Sequence, residues 1–385
     1  MTTLTDLNTM EERLELMKET VKPFKQRGEI HDKEGTFPFD NFNDLKDIGY
    51  PALTIPKKFG GMGISLCEML KHQEIIAQAD GATALSIGWH MGITKHTGEN
   101  ESWDHTKFQA FADDVKKTGA LMNNAATEPA TGSPTRGGKP ETTAAKSGDG
   151  WIINGRKTFT TMAPILSYAV VSATIEDSDE VGNFLIRREL DGVHVDETWD
   201  SVAMKASGSH DLVLENVRVA ADDLIGYLTP GKKAPAGWLL HIPACYLGIA
   251  KAAQEYATKF AAEYSPNSIK GTIAELPNVK EKLGEMELRI MQSSGFLYSV
   301  AAKWDASSDK VRASMKAELG AVKVSVVNQA VEVVDLAMRV TGARSLSAKN
   351  PLQRYYRDVR AGIHNPPMDD MVIMQLGDHA LNRME

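Results

Sequence analysis

Cysteine is scarce in this sequence of 385 residues. The two that occur, Cys67 and Cys245, lie in no C-x-x-C pair, and no H-E-x-x-H is present. Two isolated thiols cannot form a disulfide framework, so we expect a reducing, cytoplasmic setting and no metal site. The motifs G-x-S-x-G and G-x-x-x-x-G-K-[ST] are also absent, which argues against an α/β-hydrolase and a P-loop protein.

Positive charge and long apolar runs are lacking as well. The chain has 43 Lys and Arg against 51 Asp and Glu, and its formal net charge is -8. Nucleic acid is therefore not expected as a partner, because phosphate binding favours a basic surface. No run of about 18 apolar residues occurs, and the first residues lack the basic start and apolar core of a secretory signal. We expect neither a membrane partner nor export.

The sequence does contain two changes of periodicity. Up to about residue 120 apolar residues recur with helical spacing, as in 68–84. Short strand-like runs follow at 168–174, 183–186 and 212–219, and Asn154-Gly155 between two apolar runs predicts a hairpin turn. Helical spacing then returns, with one long helix beginning near Pro277 and another over about 310–340.

This order predicts a multidomain α+β protein. We expect an N-terminal helical domain at 1–121, a central antiparallel β domain at 122–230, and a C-terminal helical bundle at 231–385. The apolar stripes of the long helices are expected to form core or an interface between copies of the chain.

Two segments carry the chemical signal. Thr127-Glu-Pro-Ala-Thr-Gly-Ser133 is rich in glycine and small hydroxyl residues, so its backbone N–H groups can approach an electron-rich group closely. Some twenty residues later comes Trp151-Ile-Ile-Asn-Gly-Arg-Lys-Thr-Phe-Thr-Thr161. With the helix–β–helix order and the C-terminal Pro351-Leu-Gln-Arg-Tyr-Tyr-Arg-Asp358, the chain resembles the acyl-CoA dehydrogenase family of flavoproteins over essentially its whole length.

The resemblance implies a bound flavin and a set of residues that hold it. Ala126 and Thr127 would face the pyrimidine edge of the isoalloxazine, and Phe159 would stack on the ring. Thr161 would hydrogen-bond near N5, the atom that accepts hydride, and donors around the ring as a whole stabilise the charge of reduced flavin. The full set of predicted cofactor residues is Ala126, Thr127, Gly132, Ser133, Phe159, Thr160, Thr161, Arg339 and Gly342.

The flavin is expected to be FAD, with FMN as the alternative. The family binds the ADP half of FAD with Q-x-x-G-G, and this chain has Arg339-Val-Thr-Gly342-Ala343 at that place. Arginine can hold phosphate as well as glutamine can.

The catalytic base of the family is missing. A glutamate there takes the α-proton of the acyl-CoA thioester while flavin N5 takes the β-hydride. Nine residues after Arg357 this chain has Pro366, and at the alternative position, ten residues before Gly248, it has Trp238. Neither side chain accepts a proton.

Three nearby side chains are candidates for a shifted base. Asp369 and Asp370 lie just after the expected position, and His364 just before it. The alternative role for the two aspartates is to cap the last helix, where a carboxylate favours the N-terminal dipole.

A second branch of the same fold also resembles this chain. Gly208-Ser-His-Asp211 and His364-Asn-Pro366 look like segments of flavin monooxygenases similar to dibenzothiophene monooxygenase. Those enzymes take reduced flavin from a separate reductase and react it with oxygen, with histidines flanking the ring. The corresponding candidates are His364 and His90, which lies in Gly88-Trp-His-Met-Gly92.

We therefore expect an acyl-CoA dehydrogenase-like enzyme of fatty acid metabolism that oxidises a thioester at its α and β carbons. The alternatives are a monooxygenase that uses reduced flavin and a non-catalytic protein that binds flavin or acyl-CoA. Expected partners are acyl-CoA or another small molecule, an electron-transfer flavoprotein or a flavin reductase, and copies of the same chain in a tetramer.

Overall fold

The computed structural model describes residues 2–131, 137–178, 180–229 and 234–382. Helices come first, a sheet follows, and helices return, which confirms the predicted fold class. The first group contains α1 (Met10–Thr20), α2 (Phe24–Glu34), α3 (Phe39–Asp47), α4 (Leu66–Ala79), α5 (Gly81–Glu99) and α6 (His105–Thr118). The last group contains α7 (His241–Glu263), α8 (Pro277–Ala306), α9 (Asp309–Arg312), α10 (Lys316–Thr341), α11 (Pro351–Val359) and α12 (Asp369–Leu381).

The central strands form one sheet with a core of its own. They are β1 (Met122–Ala125), β2 (Thr143–Ser147), β3 (Gly150–Lys157), β4 (Tyr168–Ile175), β5 (Val181–Arg187), β6 (Val193–Asp196), β7 (Asp211–Val219) and β8 (Leu224–Leu228). Their order is β6-β7-β3-β2-β4-β5-β8, and β1 pairs with β4. Most pairs are antiparallel, but β1 and β2 each run parallel to β4. Alternate side chains such as Ile153, Val171 and Phe184 are buried in this core.

The hairpin predicted at Asn154-Gly155 is wrong. Both residues lie inside β3, and the turn to β2 lies earlier, at Gly148, whose φ is +60°. Gly155 instead marks a shift in the pairing of β3 with β7. A Cβ there would stand 2.3 Å from Thr142 Oγ1, so glycine is needed for close approach within the sheet, as at a bulge.

Two helix boundaries differ from the predicted ones. The periodic segment 68–84 belongs to two helices, because Asp80 ends α4 and caps α5 by accepting from the N–H of Thr83. The segment 310–340 likewise divides into α9 and α10. Pro277 begins α8, as predicted.

The helical core positions the site by close contacts between α4, α5, α7 and α10. At Gly248 of α7 a Cβ would lie 2.6 Å from the Glu74 carbonyl oxygen, so a side chain there would push α7 away from α4. The described helices include none with an apolar stretch long enough to cross a membrane.

Candidate active site

The two segments that carry the flavin resemblance lie side by side in the fold. Ala126 and Thr127 follow β1 directly and are half-buried. The Thr127 carbonyl oxygen accepts from the N–H of Thr158, just after β3, at 2.8 Å. The sheet therefore brings together parts of the chain that are about thirty residues apart. The predicted residues Gly132 and Ser133 lie outside the described residues.

A buried ion pair fastens this junction, and sequence reasoning missed it. Lys157 Nζ lies 2.5 Å from Glu128 Oε1, and both side chains are almost fully buried. Glu128 also accepts from the N–H and hydroxyl of Thr142 at 3.0 and 2.6 Å and from the N–H of Glu141 at 2.5 Å. Lys157 donates to the Ser172 carbonyl oxygen at 2.6 Å. All of the charge is thus partnered, as a buried pair requires.

The surroundings of this ion pair lower the pKa of both Glu128 and Lys157. Burial acts to raise the pKa of Glu128, but the bonds from Lys157 and Thr142 outweigh it and leave the pKa below its ordinary value. Burial lowers the pKa of Lys157. Both residues belong to the two segments that carry the flavin resemblance, and their opposite charges are the signal in the sequence that predicts such a pair.

The loop after β3 presents an aromatic face. Phe159 has φ +55° and is 64% exposed, and its ring meets Trp199 edge-on at 5.9 Å. A large apolar side chain held outward in a left-handed conformation is unfavourable by itself, so a covering partner is expected. Next to it, the Thr160 hydroxyl is buried and has no partner in the described part of the chain.

Thr161 begins a row of hydroxyl groups. Its oxygen lies 3.0 Å from that of Ser209, which lies 2.8 Å from that of Ser207. The Asn123 side chain holds the Thr161 carbonyl oxygen at 3.0 Å. Backbone hydrogen bonds join the loop at 160–163 to residues 207–210 and hold these two segments together.

These features fit a flavin. An exposed aromatic ring, an orphaned buried hydroxyl and a half-buried hydroxyl at the outer end of a row, that of Thr161, are what a planar ring with polar edges would cover. Ala126, Thr127, Phe159, Thr160 and Thr161 are the residues that would hold it.

Arg339 and Gly342 lie at the end of α10. Arg339 is exposed, and no ion pair involves it within the described ranges. Gly342 has φ +67°, and a Cβ there would meet open space. Both remain predicted contacts for the ADP half of FAD.

Trp238, at the alternative position of the family base, belongs to an aromatic cluster. Its ring lies parallel to that of His241 with centroids 5.9 Å apart, and Trp89 of α5 meets both rings edge-on. Two glycines of α5 make room for them. A Cβ at Gly88 would stand 2.4 Å from His241 Nδ1, and one at Gly92 would stand 2.4 Å from Trp238 Cε3.

The cluster leaves polar atoms without partners. Trp238 Nε1 and both ring nitrogens of His241 are buried with no hydrogen-bond partner among the described residues. Burial lowers the pKa of His241 to about 3, so the imidazole is neutral at pH 7. No group of His, Cys, Asp and Glu in the described ranges is arranged to bind a metal ion.

The two aspartates near position 366 differ in their surroundings. Asp369 is held at both oxygens, by Lys323 Nζ at 2.6 Å and by Asn328 Nδ2 at 2.8 Å. Asp370 is exposed and accepts from the N–H of Met371 at 2.8 Å. Both lie in the first turn of α12, where a carboxylate favours the helix dipole. Neither caps the helix, because the N-cap is Met368 and no side chain makes a cap hydrogen bond there, so their predicted role is limited to the dipole.

His364 ends a short 3-10 turn after α11 and is exposed. Within the described residues its imidazole has no hydrogen-bond partner, so it is available to a ligand. The next residue, Asn365, is fixed because its Oδ1 accepts from the buried Tyr246 hydroxyl at 2.5 Å.

His90 is placed differently from His364. It is fully buried in α5, its Nε2 lies 3.0 Å from the Pro51 carbonyl oxygen, and its Nδ1 accepts from the N–H of Met122 at 3.0 Å. Burial lowers its pKa to about 4. Because both nitrogens are engaged, the geometry gives His90 a positioning role at the start of β1, and its predicted contact with flavin stays a prediction.

Comparison with known proteins gives matches along the whole chain. Family models described as the N-terminal, middle and C-terminal domains of acyl-CoA dehydrogenase match residues 9–100, 123–217 and 240–365. The Bacillus subtilis protein named "Putative acyl-CoA dehydrogenase YdbM" is 51% identical over 93% of each chain.

Other relatives carry names of different reactions. L-evernosamine nitrososynthase from a Micromonospora species is 28% identical over 86% of this chain and 80% of its own. The structure of dibenzothiophene monooxygenase TdsC from Paenibacillus sp. A11-2 with FMN and indole superposes with a TM-score of 0.86 at 22% identity, covering 96% of this chain and 97% of that one. This last likeness shows a shared fold.

Proposed function

The chain belongs to the acyl-CoA dehydrogenase family of flavoproteins, and from this premise we propose that it oxygenates a small organic molecule with reduced flavin and oxygen. The observation that carries the proposal is that neither position of the family base holds a group that can accept a proton. Dehydrogenation needs a group that accepts the α-proton, and the two family positions hold Pro366 and Trp238. Asp369 is already held at both oxygens by Lys323 and Asn328. This ordering reverses the sequence-based preference for dehydrogenation.

The residues of the site divide the work in this proposal. Ala126 and Thr127 hold the polar edge of the ring, Phe159 covers its face, and Thr161 donates toward N5. Reduced flavin held by these residues would supply the two electrons that allow one atom of oxygen to be transferred to a substrate while the other leaves as water. His364, which is exposed and has no hydrogen-bond partner within the described residues, would donate a hydrogen bond to oxygen as negative charge develops on it.

Known relatives support this choice. The nitrososynthase and TdsC are named for oxidations of small molecules, and TdsC binds FMN. We propose FAD as the first cofactor because Arg339 is free to bind a second phosphate. Chromatography of the flavin released from purified protein tests this, and FMN alone would remove the proposed role of Arg339 and Gly342.

The test of the function follows oxygen under single turnover. Protein loaded with chemically reduced FMN or FAD is mixed with oxygen, with and without indole or a small thioether, and released peroxide and oxygenated product are quantified. We expect peroxide to fall as product rises. The variant His364→Ala should return most of the oxygen as peroxide.

A matched control is His194→Ala. His194 is exposed on β6, and its nearest charged neighbour is Glu215 at 3.9 Å. This variant should behave as wild type. Unchanged product yield in His364→Ala would contradict the role of that imidazole, and failure of the reduced wild-type protein to transfer oxygen to any tested small molecule would count against the function.

Acyl-CoA dehydrogenation is the second candidate, favoured by the exposed carboxylate of Asp370 and by the name of the 51% identical relative. Oxidised holoprotein without oxygen is mixed with acyl-CoA esters of graded length, and flavin absorbance is recorded. Bleaching that disappears in Asp370→Asn would establish this reaction and overturn the first. Absence of bleaching with all esters would remove it. An electron-transfer flavoprotein would then not be needed, and a flavin reductase would be the partner.

We also propose that copies of the chain associate, as expected from the family. Several large apolar side chains on two C-terminal helices are exposed, namely Leu288, Met291, Ile373, Met374 and Leu381. Light scattering during size-exclusion chromatography measures the mass, and a tetramer is expected. A single-chain mass at micromolar concentration would contradict the proposal.

A further inference from the structure

Thr161, Ser209 and Ser207 form a row of three hydrogen-bonded hydroxyl groups, here named the hydroxyl chain. The oxygen–oxygen distances are 3.0 Å for Thr161 and Ser209 and 2.8 Å for Ser209 and Ser207. Thr161 at the outer end is half-buried, whereas Ser209 and Ser207 are 6% and 1% exposed. The chain therefore leads from the candidate flavin site into the interior.

The direction of donation along the chain follows from what lies at its inner end. Each hydroxyl donates one proton, so the chain can point inward or outward. If it pointed inward, Ser207 would need an acceptor of its own. Within the described residues its hydroxyl has no partner besides Ser209, and the neighbouring Ser86 hydroxyl donates to the Ser207 carbonyl oxygen at 3.4 Å instead.

A buried donor without an acceptor is unfavourable, so the inward direction is disfavoured. In the outward direction Ser207 donates to Ser209 and Ser209 donates to Thr161. Only the Thr161 proton then needs an acceptor, and Thr161 stands where a ligand can provide one. Donation into its oxygen also polarises the Thr161 hydroxyl and makes it a stronger donor.

We propose that Ser207 and Ser209 are positioning residues that orient the Thr161 hydroxyl outward, as a donor to the bound flavin. This rests on the proposed function, since the family resemblance is what places Thr161 near N5. N5 of the oxidised ring has a lone pair that accepts a hydrogen bond, whereas in the reduced ring N5 carries a proton. The hydroxyl chain therefore contributes to binding of the oxidised ring above all, and stabilisation of the reduced ring is left to donors at its N1 and O2 edge.

The experiment compares the affinity for the two redox states. Protein stripped of flavin is titrated with oxidised FMN and, without oxygen, with dithionite-reduced FMN, and a second series uses FAD. Ser209→Ala and Ser207→Ala are each expected to weaken binding of the oxidised form about threefold to tenfold, as for loss of one hydrogen bond, and to leave the reduced form nearly unchanged. The visible absorption band of bound oxidised flavin should shift in the same two variants.

Two further variants separate orientation from simple packing. Ser209→Thr keeps a hydroxyl at the middle of the chain and should restore the wild-type affinity ratio. Ser86→Ala removes a buried hydroxyl that bonds to the Ser207 backbone and lies outside the chain, so its ratio should equal that of wild type. If Ser209→Ala does not fold, Ser207→Ala carries the test.

The outcomes are distinct. An unchanged ratio in both alanine variants, or an equal loss for both redox states, overturns the proposal for the hydroxyl chain and leaves the oxygenation proposal standing. A selective loss for oxidised flavin supports the chain whatever the protein oxygenates. If wild-type protein binds neither redox state, the proposed function fails, and with it the role given to Thr161.

Discussion

The sheet side and the helical side of the candidate site differ in how their polar groups are satisfied. On the sheet side, Glu128 and Lys157 are buried with all of their charge partnered. On the helical side, the buried polar atoms of Trp238 and His241 have no partners within the described residues. The described residues satisfy the polar groups of the sheet side. On the helical side a ligand or water would have to provide the hydrogen-bond partners.

In the proposed function the sheet side would hold the cofactor and the helical side would face the substrate. A common cofactor needs the same fixed edge in every member of the family, and a fully bonded support provides it. A substrate pocket can change its side chains without disturbing that edge. The base of the dehydrogenases has gone from the helical side, and the motifs of the sheet side remain.

Breaking the ion pair of the sheet side should give the largest effect. Glu128→Ala leaves the buried Lys157 ammonium without its carboxylate, so we expect a loss of about 3–5 kcal/mol in the free energy of unfolding. Urea unfolding measures it. Flavin affinity of the protein that remains folded should also fall, because the Thr127 loop loses its anchor.

The control breaks a similar pair elsewhere. Arg13 and Glu68 are buried and joined by two bonds of 2.6 and 3.0 Å. Glu68→Ala should lower stability by a comparable amount and leave flavin affinity unchanged. Equal losses of flavin affinity in both variants would show that Glu128 acts only through global stability.

Adding one methyl group to α5 tests how tightly the aromatic cluster of the helical side is packed. Gly92→Ala places a Cβ 2.4 Å from the Trp238 ring, and the resulting overpacking should cost about 1–3 kcal/mol. Gly284→Ala is the control, since a Cβ there meets nothing within 4 Å in helix α8 and should stabilise by about 0.5–1 kcal/mol. Thermal unfolding of both variants measures these two changes in stability. A stable Gly92→Ala protein would mean that the ring moves freely.

A pH experiment tests a contact between helix α11 and the segment that precedes the hydroxyl chain. Asp358 of α11 accepts from the N–H of Met204, which precedes the hydroxyl chain, at 2.6 Å. Burial raises its pKa to about 7, although Arg354 opposes the rise. The folded state then binds a proton that the unfolded state releases between about pH 4 and 7, so this group's contribution to stability falls as pH rises through that window and is constant above it.

Asp358→Asn keeps the acceptor and removes the titration. The difference in unfolding free energy between wild type and this variant should change by about 1 kcal/mol per pH unit between pH 5 and 6, with wild type gaining at the lower pH. Taking the difference removes contributions from all other titrating groups. A flat difference would mean that Asp358 is ionised in the fold throughout.

The smallest effect on stability is expected at Phe159. Because this ring is 64% exposed, Phe159→Ala should change the unfolding free energy by less than about 0.5 kcal/mol. Flavin affinity should nevertheless fall about twofold to tenfold through the lost aromatic contact, which fluorescence titration measures. A large loss of stability would show that Phe159 packs in the sheet core instead.

Periodicity predicted the fold because long amphipathic helices and short alternating strands bury one face each, and that pattern survives in the sequence. It failed at Asn154-Gly155, since the same dipeptide serves a tight turn or a bulge, and only the neighbouring Thr142 backbone decides between them. The break at Asp80 was missed because apolar spacing continues across it.

The candidate site was predictable only in part, and for a similar reason. The motifs identify the loops at 126–128 and 157–161, but the bonds that join Glu128 to Lys157 span 29 positions and follow from the pairing of strands. The roles of Asp369 and His90 depend on which groups stand opposite them, here Lys323 and the backbone of Met122. The spacing of residues along the chain does not predict such partners, because they come from distant segments.

The two α5 glycines, Gly88 and Gly92, have a consequence for inheritance. Each provides the space that one ring of the pair Trp238 and His241 occupies. A descendant that gained a methyl group at Gly92 would have to surrender the Trp238 ring, and one that lost that ring would free Gly92 to vary. At Gly88 an added Cβ would also lie 2.6 Å from the Gln73 amide nitrogen, so loss of His241 would leave that glycine still required. Gly92 and Trp238 should therefore be passed on, or abandoned, as a matched pair, whereas Gly88 should persist without His241.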